Sequence, residues 1–387
     1  MSDNGIDNSW YTITALGDSE NGPDGTVTGK DQTRIHFQYK PNGRNTTGKP
    51  RCGVIRVYYN NYTCVHLIFV RQGYGPLAMR DGEVMWHSFN VESITASTTG
   101  NTTYFDYSEA SDPRDEGSYF RWGASIGIKA KSNRTYKWGE VPGSFDATDG
   151  KSHTWKELEG TRDLKWPAQK GNSKVRLANH EDFLKLFSDE DNKLNTDIEY
   201  GYGVMYGDGA TTTALKASDC YGYYSDQKNE SRGMRGCIVY NRQNGRQLFF
   251  PIGAEGHGRR KSGRGSTTNT TGETIGDGIL RYANRNTRYN ISTDELKTEL
   301  KYRPLFYDLF MRPGAVYWCN NYFKNGNHPY YPTIDTVQSA WDFNYYTLNY
   351  KYFNNNASPD GWGVKPSNQR AKPENSDACL MRLVTVP

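Results

Sequence analysis

No stretch of this chain approaches the roughly 18 consecutive apolar residues that a membrane-spanning helix needs. Its hydrophobic share is only 35% and its mean hydropathy −0.86, so aliphatic side chains alone would make a thin core. Charge of one sign is also lacking: 47 Lys and Arg stand against 43 Asp and Glu, a net of +4, with the cations scattered along the chain. Nucleic-acid binding calls for a clustered basic stripe, and the sequence has none. The six cysteines (Cys52, Cys64, Cys220, Cys237, Cys319, Cys379) include no CxxC pair and no metal-ligand spacing. Cys52 and Cys64 flank one expected hairpin and Cys220 and Cys237 a second, so bridges and free thiols both stay open. HExxH, GxSxG, the phosphate loop and a strand-borne GxGxxG are all missing, which removes the readable enzyme signatures.

What the chain does have is tyrosine, 29 of them, and 40 glycines in 387 residues. Disordered chains are poor in aromatics, so this composition predicts a loop-rich β protein whose rings carry the burial. The length suggests two or three domains. The sequence is organised around residues 304–323 and the segment 340–353 that follows. Arg312-Pro313-Gly314 is a turn signal, because Pro presets φ and Gly accepts a positive φ. It feeds a short apolar strand, Ala315-Val316-Tyr317-Trp318-Cys319. Amides and phenols then crowd together through Asn356. Tyr offers stiff contact area with a polar tip and Asn adaptable hydrogen bonding, a mixture suited to recognition rather than to a core.

Earlier in the chain, residues 26–70 read as strands, with Asn60-Asn61 marking a hairpin between two β-branched and aromatic runs. They predict a small β-sandwich module over residues 1–75. Residues 85–91 form an expected strand in an otherwise weakly periodic region. Asp112, Asp115 and Glu116 lack calcium-loop spacing and read as a solvated turn. A helix is expected at 181–187, with Asn179 as N-cap and Glu181 and Asp182 in its first turn. A second is expected at 293–302. Short strands are expected at 202–205, 237–240, 247–252, 278–282, 315–319 and 378–384, with a hairpin turn at Asn244-Gly245. Residues 257–276 read as a Gly- and Arg-rich loop, whose Arg259, Arg260, Lys261 and Arg264 are solvated.

Three passages carry a family resemblance. Val175-Arg176-Leu177-Ala178-Asn179-His180-Glu181-Asp182-Phe183 is similar to the RLPTxxEW helix entry of formylglycine-generating enzymes and Fibrobacter-type major paralogous domains. Phe306-Tyr307-Asp308-Leu309 and Gly314-Ala315-Val316-Tyr317-Trp318-Cys319-Asn320-Asn321-Tyr322 resemble the GLYDM-GNVWEWC-xDWY core of that superfamily. Met381-Arg382-Leu383-Val384 resembles its closing GFRLV strand. The resemblance covers roughly residues 80–387 and implies an α+β fold: a C-type-lectin-like domain at 76–387 with few helices and many short strands. The Ig-like module at 1–75 would precede it. Ile68-Phe69-Val70-Arg71-Gln72-Gly73-Tyr74 resembles the last strand of Ig-like repeats in Bacteroidetes surface proteins. The Tyr-rich ending resembles Bacteroidetes fimbrillin-like and adhesin-like proteins. The implied setting is the cell surface, as a lipid-anchored or pilus-associated outer-membrane protein whose N-terminal signal lies outside this sequence.

Departures from the pattern limit what carries over. The oxidase members hold copper between two nearby cysteines, whereas Cys319 and Cys379 are single and far apart in sequence. The EPN, QPD and WND triplets of calcium-dependent lectins are absent. Asp208, Asp219, Glu255 and Asp342 are acid–base candidates by residue type alone. A second resemblance is to the variable proteins of diversity-generating retroelements, in which Asn codons of a C-terminal segment are mutagenised to Tyr, Asp, Ser, Thr or His. Gly314, Trp318, Trp341 and Phe343 would be the invariant scaffold. The expected function is therefore non-enzymatic recognition of a glycan or protein ligand, with other fimbrial or surface subunits as further partners and no metal or cofactor. The expected contacts are Asn320, Asn321, Tyr322, Asn325, Asn344, Tyr345, Tyr346, Asn349, Tyr350 and Tyr352. A retroelement-diversified receptor and a formylglycine-generating-type copper oxidase are the alternatives.

Overall fold

The computed structural model describes residues 8–30, 35–129, 144–154, 156–158, 160, 166–186, 197–205, 220–221, 233–251, 316–324, 336–342 and 378–387. Its principal sheet runs Val175–Leu177, Arg382–Thr385, Met85–Thr99 and Leu77–Ala78, with Thr102–Glu109 pairing on Met85–Thr99. Every pairing given for this sheet is antiparallel. The C-terminal strand Arg382–Thr385 thus lies between two strands from much earlier in the chain.

Both faces of this assembly are covered, which explains the near-continuous apolar runs of its strands. Along residues 379–384, Leu380 and Val384 join a cluster with Trp86, Phe183, Phe250 and Tyr317. Cys379, Met381 and Leu383 join a second cluster with Trp122, Trp166 and Trp318. The 15-residue strand Met85–Thr99 serves both clusters in turn. Its pairing with Thr102–Glu109 shifts register between Val91 and Ser93. Such an irregularity exchanges the faces of the strand. Trp86, before the shift, packs in the first cluster, and Ile94, after it, packs in the second.

Aromatic rings do much of the packing. Trp86 meets Phe183 edge-on at 4.9 Å and Phe250 at 5.6 Å. Trp122 meets Trp166 at 4.5 Å and Trp318 at 5.1 Å. Edge-to-face pairs of this kind add about 0.5–1.5 kcal/mol beyond burial. Tryptophan and phenylalanine, joined by buried tyrosines, therefore supply much of the core that a chain poor in aliphatic residues needs.

A second sheet is built by Ile198–Met205, Gly233–Asn241, Cys220–Tyr221 and Gln247–Pro251. The hairpin between Gly233–Asn241 and Gln247–Pro251 turns where Asn244-Gly245 predicts it. Gly245 takes φ 71° and donates its N–H to Asn241 O at 2.8 Å.

The N-terminal region contains three two-stranded sheets: Tyr11–Ala15 with Phe37–Pro41, Glu20–Asn21 with Val27–Thr28, and Arg51–Tyr59 with Cys64–Gln72. Trp10, Tyr11, Ile55 and Val70 form its core, joined by Ile13, Phe37, Tyr39 and Ile68. Polar contacts cross the expected boundary at residue 75. Gln247 Nε2 donates to Val70 O at 2.8 Å and to Gly53 O at 3.3 Å, and Arg71 donates to Gln247 O and Ser88 Oγ.

The expected α+β class is corrected by these elements. Among the described residues there are 22 strands, one six-residue α-helix, His180–Lys185, and one 3-10 turn, Pro23–Gly25. Among the described residues the class is β rather than the expected α+β. The physical reason is that, among the described residues, the sheets cover one another through the two aromatic clusters, and the one short helix adds only Phe183 to the first of them. The helix that does form begins as its sequence predicts. Asp182 Oδ2 accepts the Asn179 N–H at 2.7 Å, and Arg176 pairs with the same carboxylate at 2.7 Å. The helix expected at 293–302, the strand at 278–282 and the loop at 257–276 lie outside the described residues. No helix among those described is long and apolar enough to cross a membrane.

Candidate functional site

The strand Val316–Lys324 carries the first of the expected contact residues and pairs with Thr336–Asp342. The two strands run in register from Val316↔Asp342 to Trp318↔Ala340, then resume at Tyr322↔Gln338. Cys319, Asn320 and Asn321 therefore stand opposite Ser339 alone. At this bulge the strand turns to other partners. Trp318 N–H donates to Leu380 O and Asn320 N–H to Ala178 O, each at 2.9 Å. Bulges re-aim side chains locally without dissolving the strand.

Asn320 is half-buried at this point. Its Nδ2 donates to Trp166 O at 2.9 Å, while its Oδ1 is enclosed and has no hydrogen-bond donor among the described residues. Tyr317, Trp318 and Cys319, just before it, are fully buried. Trp318 Nε1 donates to Phe120 O at 2.6 Å. Asn321 and Tyr322 follow within the strand. Asn325, Asn344, Tyr345, Tyr346, Asn349, Tyr350 and Tyr352 lie outside the described residues, as do Asp208, Asp219, Glu255, Phe343 and the cations of 257–276. The structure thus brings Asn320, Asn321 and Tyr322 together on one irregular strand.

A buried polar network holds that strand from beneath. Arg382 is 1% exposed and donates from Nε to Asn90 Oδ1 at 2.7 Å, from Nη1 to His87 O at 3.0 Å and from Nη2 to Phe249 O at 3.1 Å. Its guanidinium lies 4.8 Å from the centroid of the Phe250 ring. Asn90 Nδ2 donates to Tyr317 Oη at 3.0 Å and to Glu116 O at 2.9 Å. Tyr317 donates its own proton to Pro251 O at 3.2 Å. Burial lowers the Arg382 pKa against the opposing pull of Tyr317 and Glu109, and pushes the Tyr317 phenol up to about 12. Sequence reading missed Asn90 and the role of Arg382, because neither sits in a motif whose spacing implies burial.

The expected solvated turn at 112–116 is divided between two roles. Asp112 is held by Arg114 at 2.6 Å, while Glu116 turns into the core and accepts the Tyr119 hydroxyl. On the next strands, His87 lies between Glu109 Oε2 and Thr385 Oγ1, 2.9 Å from each. Hydroxyl, imidazole and carboxylate in that order are the parts of a nucleophilic relay. The backbone amide beside Thr385, that of Val386, is committed to Lys174 O at 2.8 Å. The trio links three neighbouring strands of the principal sheet. Cys319 joins the first hydrophobic cluster and Cys379 the second.

Comparison with protein-family models, with curated proteins and with solved structures finds no match to this chain.

Proposed function

We propose that this chain is a non-enzymatic ligand-binding protein of the cell surface, an adhesin-like module that recognises a glycan or a protein through its Tyr- and Asn-rich C-terminal segment. The observation that carries this reading is the bulge between Trp318 and Tyr322. It takes Asn320 and Asn321 out of the ladder with Thr336–Asp342 and leaves the Asn320 Oδ1 without a hydrogen-bond donor among the described residues. The residues directly behind it are locked by Arg382, Asn90 and buried aromatic rings, so contact groups mounted on the strand would lose little freedom on binding. The proposed setting is a pilus or lipid-anchored stalk, where a β-rich, aromatic-cored module would present this edge outward.

The test is a broad glycan array probed with calcium and with chelator, using the native chain and a Tyr345→Ala/Tyr346→Ala/Tyr350→Ala variant. Calcium-independent binding that disappears in the variant, with thermal stability kept, supports the reading. Survival of every glycan hit in the variant removes the C-terminal segment from the glycan contact surface. A collapse of folding would place those tyrosines in the core.

A further inference from the structure

The hairpin Arg51–Tyr59/Cys64–Gln72 begins in the core and ends in solvent. Residues 52–55 are buried, and exposure rises steadily toward the tip. At the tip stand three tyrosines with large exposed surface: Tyr58 at 44%, Tyr59 at 51% and Tyr62 at 82%, with Val65 at 49%. In the ladder Tyr58 is opposite Val65 and Tyr59 is opposite Cys64. Cross-strand partners share a face and sequence neighbours take opposite faces, so Tyr58 and Val65 lie on one side and Tyr59 on the other. The Tyr62 ring joins the Tyr58 side, with centroids 5.8 Å apart and planes inclined by 43°.

The backbone at this tip is unusual. Asn60, Asn61 and Tyr62 have φ of 51°, 53° and 63°, three consecutive left-handed residues without a glycine. Asparagine tolerates that conformation, whereas a bulky ring there is an outlier that a local constraint must hold. Thr63 supplies the constraint by donating both its N–H, at 3.1 Å, and its hydroxyl, at 2.5 Å, to Asn60 O. Tyr62 therefore has neither burial nor backbone preference to account for its place. The amide side chains of Asn60 and Asn61 make no hydrogen bond among the described residues, and both are exposed.

We infer that this tip is a carbohydrate-binding platform, distinct from the C-terminal segment, which takes a neutral pyranose on the Tyr58 and Tyr62 rings. Residues 58–65 (Tyr-Tyr-Asn-Asn-Tyr-Thr-Cys-Val) contain no Lys, Arg, Asp or Glu, so the surface suits an uncharged ligand. Rings stack on the apolar C–H faces of a sugar, and Asn60 and Asn61 present two carbonyls and two NH2 groups for its hydroxyls. The Tyr58 and Tyr62 centroids, 5.8 Å apart, offer a platform on the scale of one or two sugar rings.

The test uses the full chain on immobilised β-1,4-glucan, β-1,3-glucan, α-mannan and β-1,4-galactan oligosaccharides. Native protein, Tyr58→Ala, Tyr62→Gly and Tyr59→Ala are compared by Kd and by melting temperature. The expected result is binding to at least one of these glycans, weakened about tenfold or more by Tyr58→Ala and by Tyr62→Gly and little changed by Tyr59→Ala. Glycine suits a positive φ, so Tyr62→Gly should not lower the melting temperature, which separates lost binding from lost fold. The C-terminal triple tyrosine variant should keep this binding, so the two sites can fail independently. Silence on all four glycans, or binding that Tyr58→Ala and Tyr62→Gly leave intact, overturns the inference.

Discussion

Arg382 and Asn90 are 292 residues apart in sequence and joined by a 2.7 Å hydrogen bond in the interior, with neither side chain more than 1% exposed. Asn90 also supports Tyr317 and the Glu116 carbonyl. Removing its amide leaves a buried cation without one acceptor and two acceptors without a donor. Asn90→Ala should therefore destabilise the protein by about 3 kcal/mol or more in urea unfolding. Arg382→Met, which keeps the volume but takes the donor from Asn90 Oδ1, His87 O and Phe249 O, should destabilise by a comparable amount. A small loss for either variant would mean that the network contributes little to stability.

Acid should weaken a second contact. Arg80 grips Asp197 with Nε to Oδ2 at 2.8 Å and Nη2 to Oδ1 at 2.7 Å, and this hydrogen bonding holds the Asp197 carboxyl below its ordinary pKa. A depressed folded-state pKa gives stabilisation that is present above the unfolded value of about 3.9 and lost as pH falls through the folded one. The urea midpoint should fall as pH drops from 5 to ~2.5, with a shallower fall in Asp197→Asn. Parallel profiles for native and variant protein would remove Asp197 from the acid response.

Gly117 has φ 73°, and a Cβ there would meet the Val91 carbonyl oxygen at 2.3 Å. That carbonyl belongs to the strand at the point where its register shifts, so it has little room to move. Gly117→Ala should cost more than about 1 kcal/mol, from strain and collision together. Thermal melts of the variant check this directly, and an unchanged midpoint would show that the turn relaxes.

Thiol reactivity should grade with position. Cys64 is partly exposed on the projecting hairpin, whereas Cys237 is fully buried and its thiol pKa is raised by that burial. Alkylation of the native protein followed by peptide mass spectrometry should label Cys64 first and Cys237 only after denaturation. Early labelling at Cys237 would reveal local opening of the second sheet.

How much of this could be read beforehand varied with the kind of signal. Turn chemistry read well: Asn244-Gly245 and Asn60-Asn61 both mark hairpins in the structure, because the conformations they permit are local. The helix start at Asn179 and Asp182 read well for the same reason. The strand through residues 93–99 did not, since its outward Ser and Thr residues dilute the alternation that Val91 and Ile94 begin. Fold class misread because the helix-entry resemblance was local, while the way sheets cover each other depends on pairings nearly 300 residues apart. The sequence places Tyr58 and Tyr59 in a strand and assigns Tyr62 no role, although Tyr-Tyr-Asn-Asn-Tyr shares the composition of the C-terminal segment. Period-2 patterning shows that a strand exists and is silent on whether its end leaves the body of the protein.

The position of Arg382–Thr385 has a consequence for how the molecule comes to be made. Its neighbours, Met85–Thr99 and Val175–Leu177, are synthesised long before it and cannot hydrogen-bond to each other while the slot between them is empty. During that interval each presents an open edge to any passing strand, including the same edge on a sibling chain. Closure of the slot is a long-range event of high contact order, which is slow and leaves intermediates open to aggregation. Within this chain, the principal sheet is thus a late-setting structure, and cells that make the protein have reason to keep it shielded until its C-terminal strand has arrived.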